Sequence, residues 1–212
     1  MNYQELLEDY HKKKSEIKGR LKEFRKTFKQ PDEIIFQELV FCILTANASA
    51  QMGINSVNEI KNVLLEGSVN DLRKGLKGRH RFWKVRAQYI FHTREYLKEN
   101  FNFRIKEKIY SFKDRNLLRD FFASNKDIKG LGYKEASHFL RNIGFKGYAI
   151  IDKHILNCLY EFRQINKPER PKNKKQYIEI ENAMRSFSER VKIDMDEMDL
   201  LLWSRKTGKI LK

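Results

Sequence analysis

The sequence predicts an all-α protein. Three observations carry this: apolar residues recur at steps of three and four along most of the 212 residues, no stretch shows sustained period-two alternation between hairpin turns, and only ten glycines and three prolines interrupt the pattern. From Leu6 and Leu7 through Tyr10, Ile17, Leu21, Phe24 and Phe28 the apolar positions trace one face with charges on the others, which predicts an amphipathic helix or two in line. Pro31-Asp32-Glu33 then reads as a helix start, and 34–44 is apolar nearly all round, broken only by Gln37-Glu38, the pattern of a buried helix. Further helices are expected over 51–65, 83–97, 115–123, 133–143, 153–162, 175–190 and 195–203. The one long polar connector, 164–175, holds Pro168, Pro171 and several Lys and Arg; it reads as a surface loop, either solvated or lying beside nucleic acid. No internal repeat is visible.

Composition narrows the class of partner. The formal charge is +16, and charged residues make up 34% of the chain where about 25% is usual. A 41% apolar and 12% aromatic share supplies a core, so collagen-like, low-complexity and wholesale disordered chains are excluded. Cys42 and Cys158 are too few for a disulfide framework or a four-thiolate cluster, and both sit in apolar runs, as buried reduced cysteines do. The start, Met1-Asn2-Tyr3-Gln4-Glu5, is acidic and helical rather than basic then apolar, and no apolar run nears the ~20 residues of a membrane span. The expectation is a soluble cytoplasmic protein with a polyanionic partner, of which nucleic acid is the commonest.

The informative segment is Gly130-Leu131-Gly132-Tyr133-Lys134 with the run that follows it. Two glycines one residue apart make a tight turn whose amides can approach a phosphate, and a helix begins directly after them. Ala136, Phe139, Leu140 and Ile143 line its inner face, and Gly144 is placed to end it. Read alone, the glycine pair is either a phosphate-binding hairpin or a plain turn. Eighteen residues after Lys134 comes Asp152, at the start of a helix with Ile155, Leu156, Leu159 and Phe162 inside, where capping alone would explain an aspartate. Lys134 lies in the first turn of the hairpin's second helix, and the positive end of the helix disfavours a second positive charge there. A neutral amine is a nucleophile.

With these residues in place, Gly130 to Lys134 and Asp152 resemble the helix-hairpin-helix DNA glycosylase superfamily. More narrowly, Cys42-Ile43-Leu44-Thr45-Ala46-Asn47, His80-Arg81-Phe82, the stretch 130–155 and the ending Arg205-Lys206-Thr207-Gly208-Lys209-Ile210-Leu211-Lys212 are similar to the archaeal-type, type 2, 8-oxoguanine DNA glycosylase/AP lyases. Two positions depart from the superfamily pattern: residue 129 is Lys where many of its hairpins carry Pro, and no Pro precedes Asp152. A four-cysteine iron-sulfur cluster is also missing, which separates the chain from endonuclease III-like relatives.

The resemblance implies a helix-hairpin-helix glycosylase fold of two helical subdomains, 32–146 and 1–31 with 147–212, and a cleft between them that takes an extruded lesion nucleotide. It implies Lys134 as the nucleophile toward C1′ of the sugar, Asp152 as the group that stabilises positive charge developing there, and strand cleavage by β-elimination from a Schiff base, with no cofactor and no metal. The implied partner is double-stranded DNA containing 8-oxoguanine or abasic sites, and the protein is expected to act as a monomer, nucleoid-associated when on DNA. Selection of 8-oxoguanine over guanine turns on N7, a donor in the lesion and an acceptor in guanine; the family uses its chain terminus here, which points to Lys212 and its α-carboxylate. Extending the chain beyond Lys212 is then expected to weaken selection between lesion and guanine duplexes, measured as the ratio of their cleavage rates. Trp203 either stacks on the extruded base or belongs to the core. Asn47 either enters the space that base vacates or ends its helix, and His154 either donates to a phosphate or lies on the surface. His80, Arg81 and Trp83 match the family without an assignable role, and His138 reads as structural. Two other functions stay open: a noncatalytic hairpin module that binds DNA, and a glycosylase for a different oxidised base.

Overall fold

A computed structural model describes residues 2–211, which form eleven helices: α1 (Tyr3–Thr27), α2 (Asp32–Thr45), α3 (Ala50–Ile60), α4 (Val69–Leu76), α5 (Trp83–Phe101), α6 (Ile105–Tyr110), α7 (Arg115–Ser124), α8 (Tyr133–Asn142), α9 (Lys153–Glu161), α10 (Lys174–Val191) and α11 (Met195–Thr207). No strand occurs among the described residues, and none of their helices is long and apolar enough to cross a membrane. Lys212 lies outside the described residues. The chain forms two compact units, Thr27–Phe139 and Met1–Lys26 with Leu140–Lys212, so that α8 begins in one and ends in the other.

In the unit Thr27–Phe139, α2 is the central element. It buries Ile35, Phe36 and every residue from 39 to 45, and packs on α3, α5 and α6. Two helices here escape the periodicity reading. α4 spans eight residues and starts in a capping box, in which the Ser68 hydroxyl accepts from Asp71 N–H while the Asp71 carboxylate accepts from Ser68 N–H. Such a box compensates two of the unpaired donors at a helix start. α6 is a six-residue helix entered through two left-handed residues, Asn102 and Phe103. The third helix stops at Ile60 rather than 65, because the chain continues there in turns to 66.

The other unit holds α1, α9, α10 and α11, with α11 packed on α9 and α10. α1 is one unbroken helix of 25 residues whose buried side is Leu6, Tyr10, Ile17, Leu21 and Phe24. Tyr10 donates its hydroxyl to Glu197 on α11 and Arg205 pairs with Asp9, which ties α1 to α11. Cys42 and Cys158 are both free and buried, each in its own unit, and burial pushes the Cys158 thiol up to about 11.

Candidate active site

The hairpin of α7 and α8 is locked by its own side chains. The buried Arg119 donates to Ser137 Oγ and Asn116 Oδ1, both at 3.3 Å, Tyr133 donates to Asp120, and Phe122 meets Phe139 edge to face at 4.8 Å. The turn between the helices is held from α5. Lys129 N–H donates to Thr93 Oγ1 at 3.0 Å, a bond that proline could not make, so the lysine at this position serves the turn. Gly130 has φ +82°, and a Cβ there would stand 2.7 Å from Tyr89 Cδ2 and 2.9 Å from Arg86 Nη1. Gly130→Ala therefore combines a left-handed non-glycine residue, about 1–2 kcal/mol, with overpacking of about 1–3 kcal/mol. Chemical denaturation should register that loss.

Gly132 stands before α8, and Glu135 organises this helix start. One oxygen of its carboxylate, Oε2, accepts from Gly132 N–H at 3.1 Å; the other, Oε1, lies 3.1 Å from Lys134 Nζ. The first oxygen caps the helix and the second holds the lysine, whose side chain is 27% exposed. Lys134 thus rests as half of an ion pair, a partner that the sequence pattern did not point to, although a glutamate three residues after a helix-starting glycine is a capping signal. Gly130 N–H, in the turn, has no hydrogen-bond partner among the described residues. It stays available to an anion.

Asp152 caps α9. Its Oδ1 accepts from His154 N–H at 2.8 Å and from Ile155 N–H at 2.9 Å, and Oδ2 takes neither. The segment leading to it is buried from Tyr148 to Ile151, and acidic and phenolic side chains of α10 and α11 receive four amides between Gly147 and Ile151. Gly147 N–H donates to Asp196, Ala149 N–H to Glu181, Ile150 N–H to Asp199 and Ile151 N–H to the Tyr177 hydroxyl, which itself donates to Ala149 O. The backbone ahead of Asp152 is fixed by these bonds rather than by a proline ring. Arg141 answers the buried charge, with Nη1 3.0 Å from Asp199 Oδ1. Burial pushes the Asp199 carboxyl up to about 7, while Arg141 and Ile150 N–H pull it down. Burial likewise raises Asp196, against Gly147 N–H. Glu181→Ala would orphan the buried Ala149 N–H, at a cost of about 1–3 kcal/mol in unfolding free energy, whereas Glu181→Gln keeps an acceptor and should lie much nearer wild type.

Asn47 is exposed, with φ +60°, in the turn between α2 and α3. His80 and Arg86 reach this turn from the start of α5 and just before it. His80 Nε2 donates to Leu44 O at 2.8 Å while its Nδ1 accepts from Phe82 N–H, which assigns the neutral ring; burial, the largest influence, pushes His80 below the usual histidine range. Arg86 Nη2 donates to Ala46 O at 2.8 Å. His80 thereby acquires a role, and Arg86 is a residue the sequence pattern passed over. Its one signal was a cation on the face of α5 that also carries Ala87, Ile90 and Leu97. His138 is buried against the edge of Phe41.

Trp203 is half-buried on α11, the helix that packs on α9. His154 follows Asp152 in the first turn of α9. Gly130, Gly132, Lys134 and Asn47 thus belong to the unit Thr27–Phe139, and Asp152, His154 and Trp203 to the other. Among the described residues no group of three His, Cys, Asp or Glu side chains is gathered to hold a metal ion.

A glycine-turned hairpin with a lysine one step inside its second helix, followed by an aspartate at the next helix cap, defines a helix-hairpin-helix protein of the DNA glycosylase class. The model of one family, 8-oxoguanine DNA glycosylase, matches residues 17–193, and the chain belongs to that family. It is 42% identical over 205 residues to the 8-oxoguanine DNA glycosylase/AP lyase of Methanocaldococcus jannaschii, covering 94% of this chain and 95% of the relative. The corresponding protein of Fusobacterium nucleatum is 36% identical over 214 residues, covering 99% and 97%. A crystal structure of the M. jannaschii enzyme in complex with a 15mer DNA containing 8-oxoguanine superposes with a TM-score of 0.86 at 40% identity, over 98% of this chain and 99% of that one. The Thermotoga maritima 8-oxoguanine DNA glycosylase gives a TM-score of 0.88 at 32% identity, over 99% and 98%.

Proposed function

We propose that this protein is a bifunctional repair enzyme that excises 8-oxoguanine from DNA and cuts the strand 3′ to the resulting abasic site. Lys134 Nζ, released from Glu135 and having lost a proton, attacks the sugar C1′. The C1′–N9 bond breaks with its electron pair leaving on the base, and the new C1′–N bond becomes a Schiff base after ring opening. Loss of a proton from C2′ then expels the 3′ phosphate by β-elimination. Asp152, its Oδ1 engaged by the helix and Oδ2 taken by neither amide, faces the sugar as positive charge develops there. The hairpin glycines and His154 bind phosphates, and the excess of basic residues supplies salt-dependent attraction that is blind to sequence. Trp203 stacks on the extruded base, Lys212 supplies the acceptor for N7–H, and Asn47 enters the vacated space. The protein acts as a monomer.

The observation that carries this reading is a lysine held in the first turn of the hairpin helix in a chain of this family. The test is a duplex with a single 8-oxoguanine, incubated with and without borohydride, beside the same duplex with guanine and one with a preformed abasic site. Cleavage and a trapped adduct on the lesion and abasic duplexes, with the guanine duplex intact, is the expected result. Tight binding without cleavage would leave a noncatalytic module, and faster cutting at an oxidised pyrimidine would make it a glycosylase for another base.

A further inference from the structure

We infer that Arg86 and His80 are positioning residues that hold Asn47 in the geometry needed to enter the duplex, by fixing the direction of the peptide just before it. The inference rests on the role given to Asn47 above. The turn joining α2 to α3 has Ala46 at φ −64°, ψ 112° and Asn47 at φ +60°, closed by Ala48 N–H on Thr45 O at 3.0 Å. These are the angles of a type II turn, whose ideal values are about −60°, 120° and then φ about +80°. A type I turn has the same ends and differs in the central peptide, which is flipped. That flip carries the Ala46 carbonyl to the opposite face and moves Asn47 out of the left-handed region. Type I is the commonest turn, and asparagine, which after glycine best tolerates the left-handed position of type II, adopts type I as well, so the choice between the two falls to the surroundings.

Arg86 makes that selection. Its Nη2 donates to Ala46 O, the one carbonyl whose direction distinguishes the two turns. His80 secures the preceding carbonyl, Leu44 O, and Ala48 N–H takes the one between, so three consecutive carbonyls are each bound. Both side chains are buried, Arg86 at 7% and His80 at 2% exposure, whereas Asn47 is exposed. Their placement is rigid on the other side as well: Arg86 lies over Phe82 and Tyr89, its Nη1 closes the space beside Gly130, and His80 Nδ1 is occupied by Phe82 N–H. The side chain offered to DNA is thus carried on a turn whose hand is set by a buried guanidinium, and the same guanidinium abuts the hairpin turn ahead of Lys134.

The test compares Arg86→Met, Asn47→Gly and the double variant. Glycine keeps the type II turn without help and deletes only the side chain. Single-turnover excision of 8-oxoguanine should slow by about 10- to 100-fold in each single variant, as misplaced recognition groups do. The double variant should be no slower than Asn47→Gly. Borohydride trapping on a duplex that is already abasic should stay near wild type in Arg86→Met, because Lys134 is untouched. Multiplying defects would overturn the inference, as would trapping that falls in step with excision, since Arg86 would then be supporting the hairpin. A normal rate in Arg86→Met beside a slow Asn47→Gly sinks the positioning role alone; a normal rate in Asn47→Gly sinks the reading of Asn47 and this inference with it. Should Arg86→Met not fold, His80→Ala, which removes the bond to Leu44 O, is judged by the same comparisons.

Discussion

Lys134→Gln protein is expected to bind a duplex carrying 8-oxoguanine with near wild-type affinity and to give no borohydride-trapped adduct, its excision rate falling by on the order of 10³-fold or more, about 4 kcal/mol of transition-state stabilisation. Glutamine is the informative replacement. Lys134 Nζ lies 3.1 Å from Glu135 Oε1, and alanine would leave that oxygen's negative charge without the cation beside it, which weakens attraction to DNA for a reason unconnected with chemistry. Glutamine can still donate to it. A lysine that only neutralised a phosphate would behave differently: the rate would change little, and the slope of log K against log salt would fall by about 0.9, the share of one contact. Measuring the rate and the salt slope on one variant therefore separates a nucleophile from a cation. An unchanged slope with lost adduct supports the first, and a reduced slope with retained adduct the second.

What could be read from the sequence followed from how local each feature is. Gly130, Gly132 and Lys134 lie within five residues and Asp152 caps the helix it begins, so each stood out as a local feature, to which the family resemblance then attached a role. The side chains that hold them in place come from far along the chain. Arg86 binds a carbonyl 40 residues earlier, Thr93 an amide 36 residues later, and Glu181 and Asp199 receive amides 32 and 49 residues before them. No helical period records such partners. The two departures from the superfamily pattern are resolved by the same bonds. Lys129 supplies an N–H to Thr93, and 147–151 supplies a row of them to α10 and α11. Where proline restricts the backbone by a ring, this chain restricts it with donors that proline lacks. The helices missed, α4 and α6, are eight and six residues long, too short for periodicity to stand out, although Ser68 and Asp71 carried the capping signature of the first.

Asp152 caps α9 and, in the proposed mechanism, also stabilises the sugar, and Asp152→Asn divides the two roles. Asparagine is as good a helix cap as aspartate, and its single oxygen can take the place of Oδ1, accepting from His154 N–H and Ile155 N–H. The fold should lose no more than the attraction of a carboxylate to the helix end, about 0.3–1 kcal/mol. In the proposed mechanism the reaction loses a negative charge where positive charge develops, and removal of one such stabilising group typically slows chemistry by about 10²–10³-fold. Asp152→Ala gives up the cap as well, at a cost of about 0.5–2 kcal/mol, and should react no faster than Asn. The pattern expected from thermal melts and single-turnover rates is two variants similarly slow and unequally stable. An aspartate that acted only as a cap would reverse it: Asn would excise 8-oxoguanine at close to the wild-type rate, and only Ala would be slow. The amide row on 147–151 makes the comparison clean, because the backbone entering residue 152 is held by Asp196, Glu181, Asp199 and Tyr177 whatever side chain stands there. With both variants presenting the same backbone, a difference in rate between Asp and Asn reports charge.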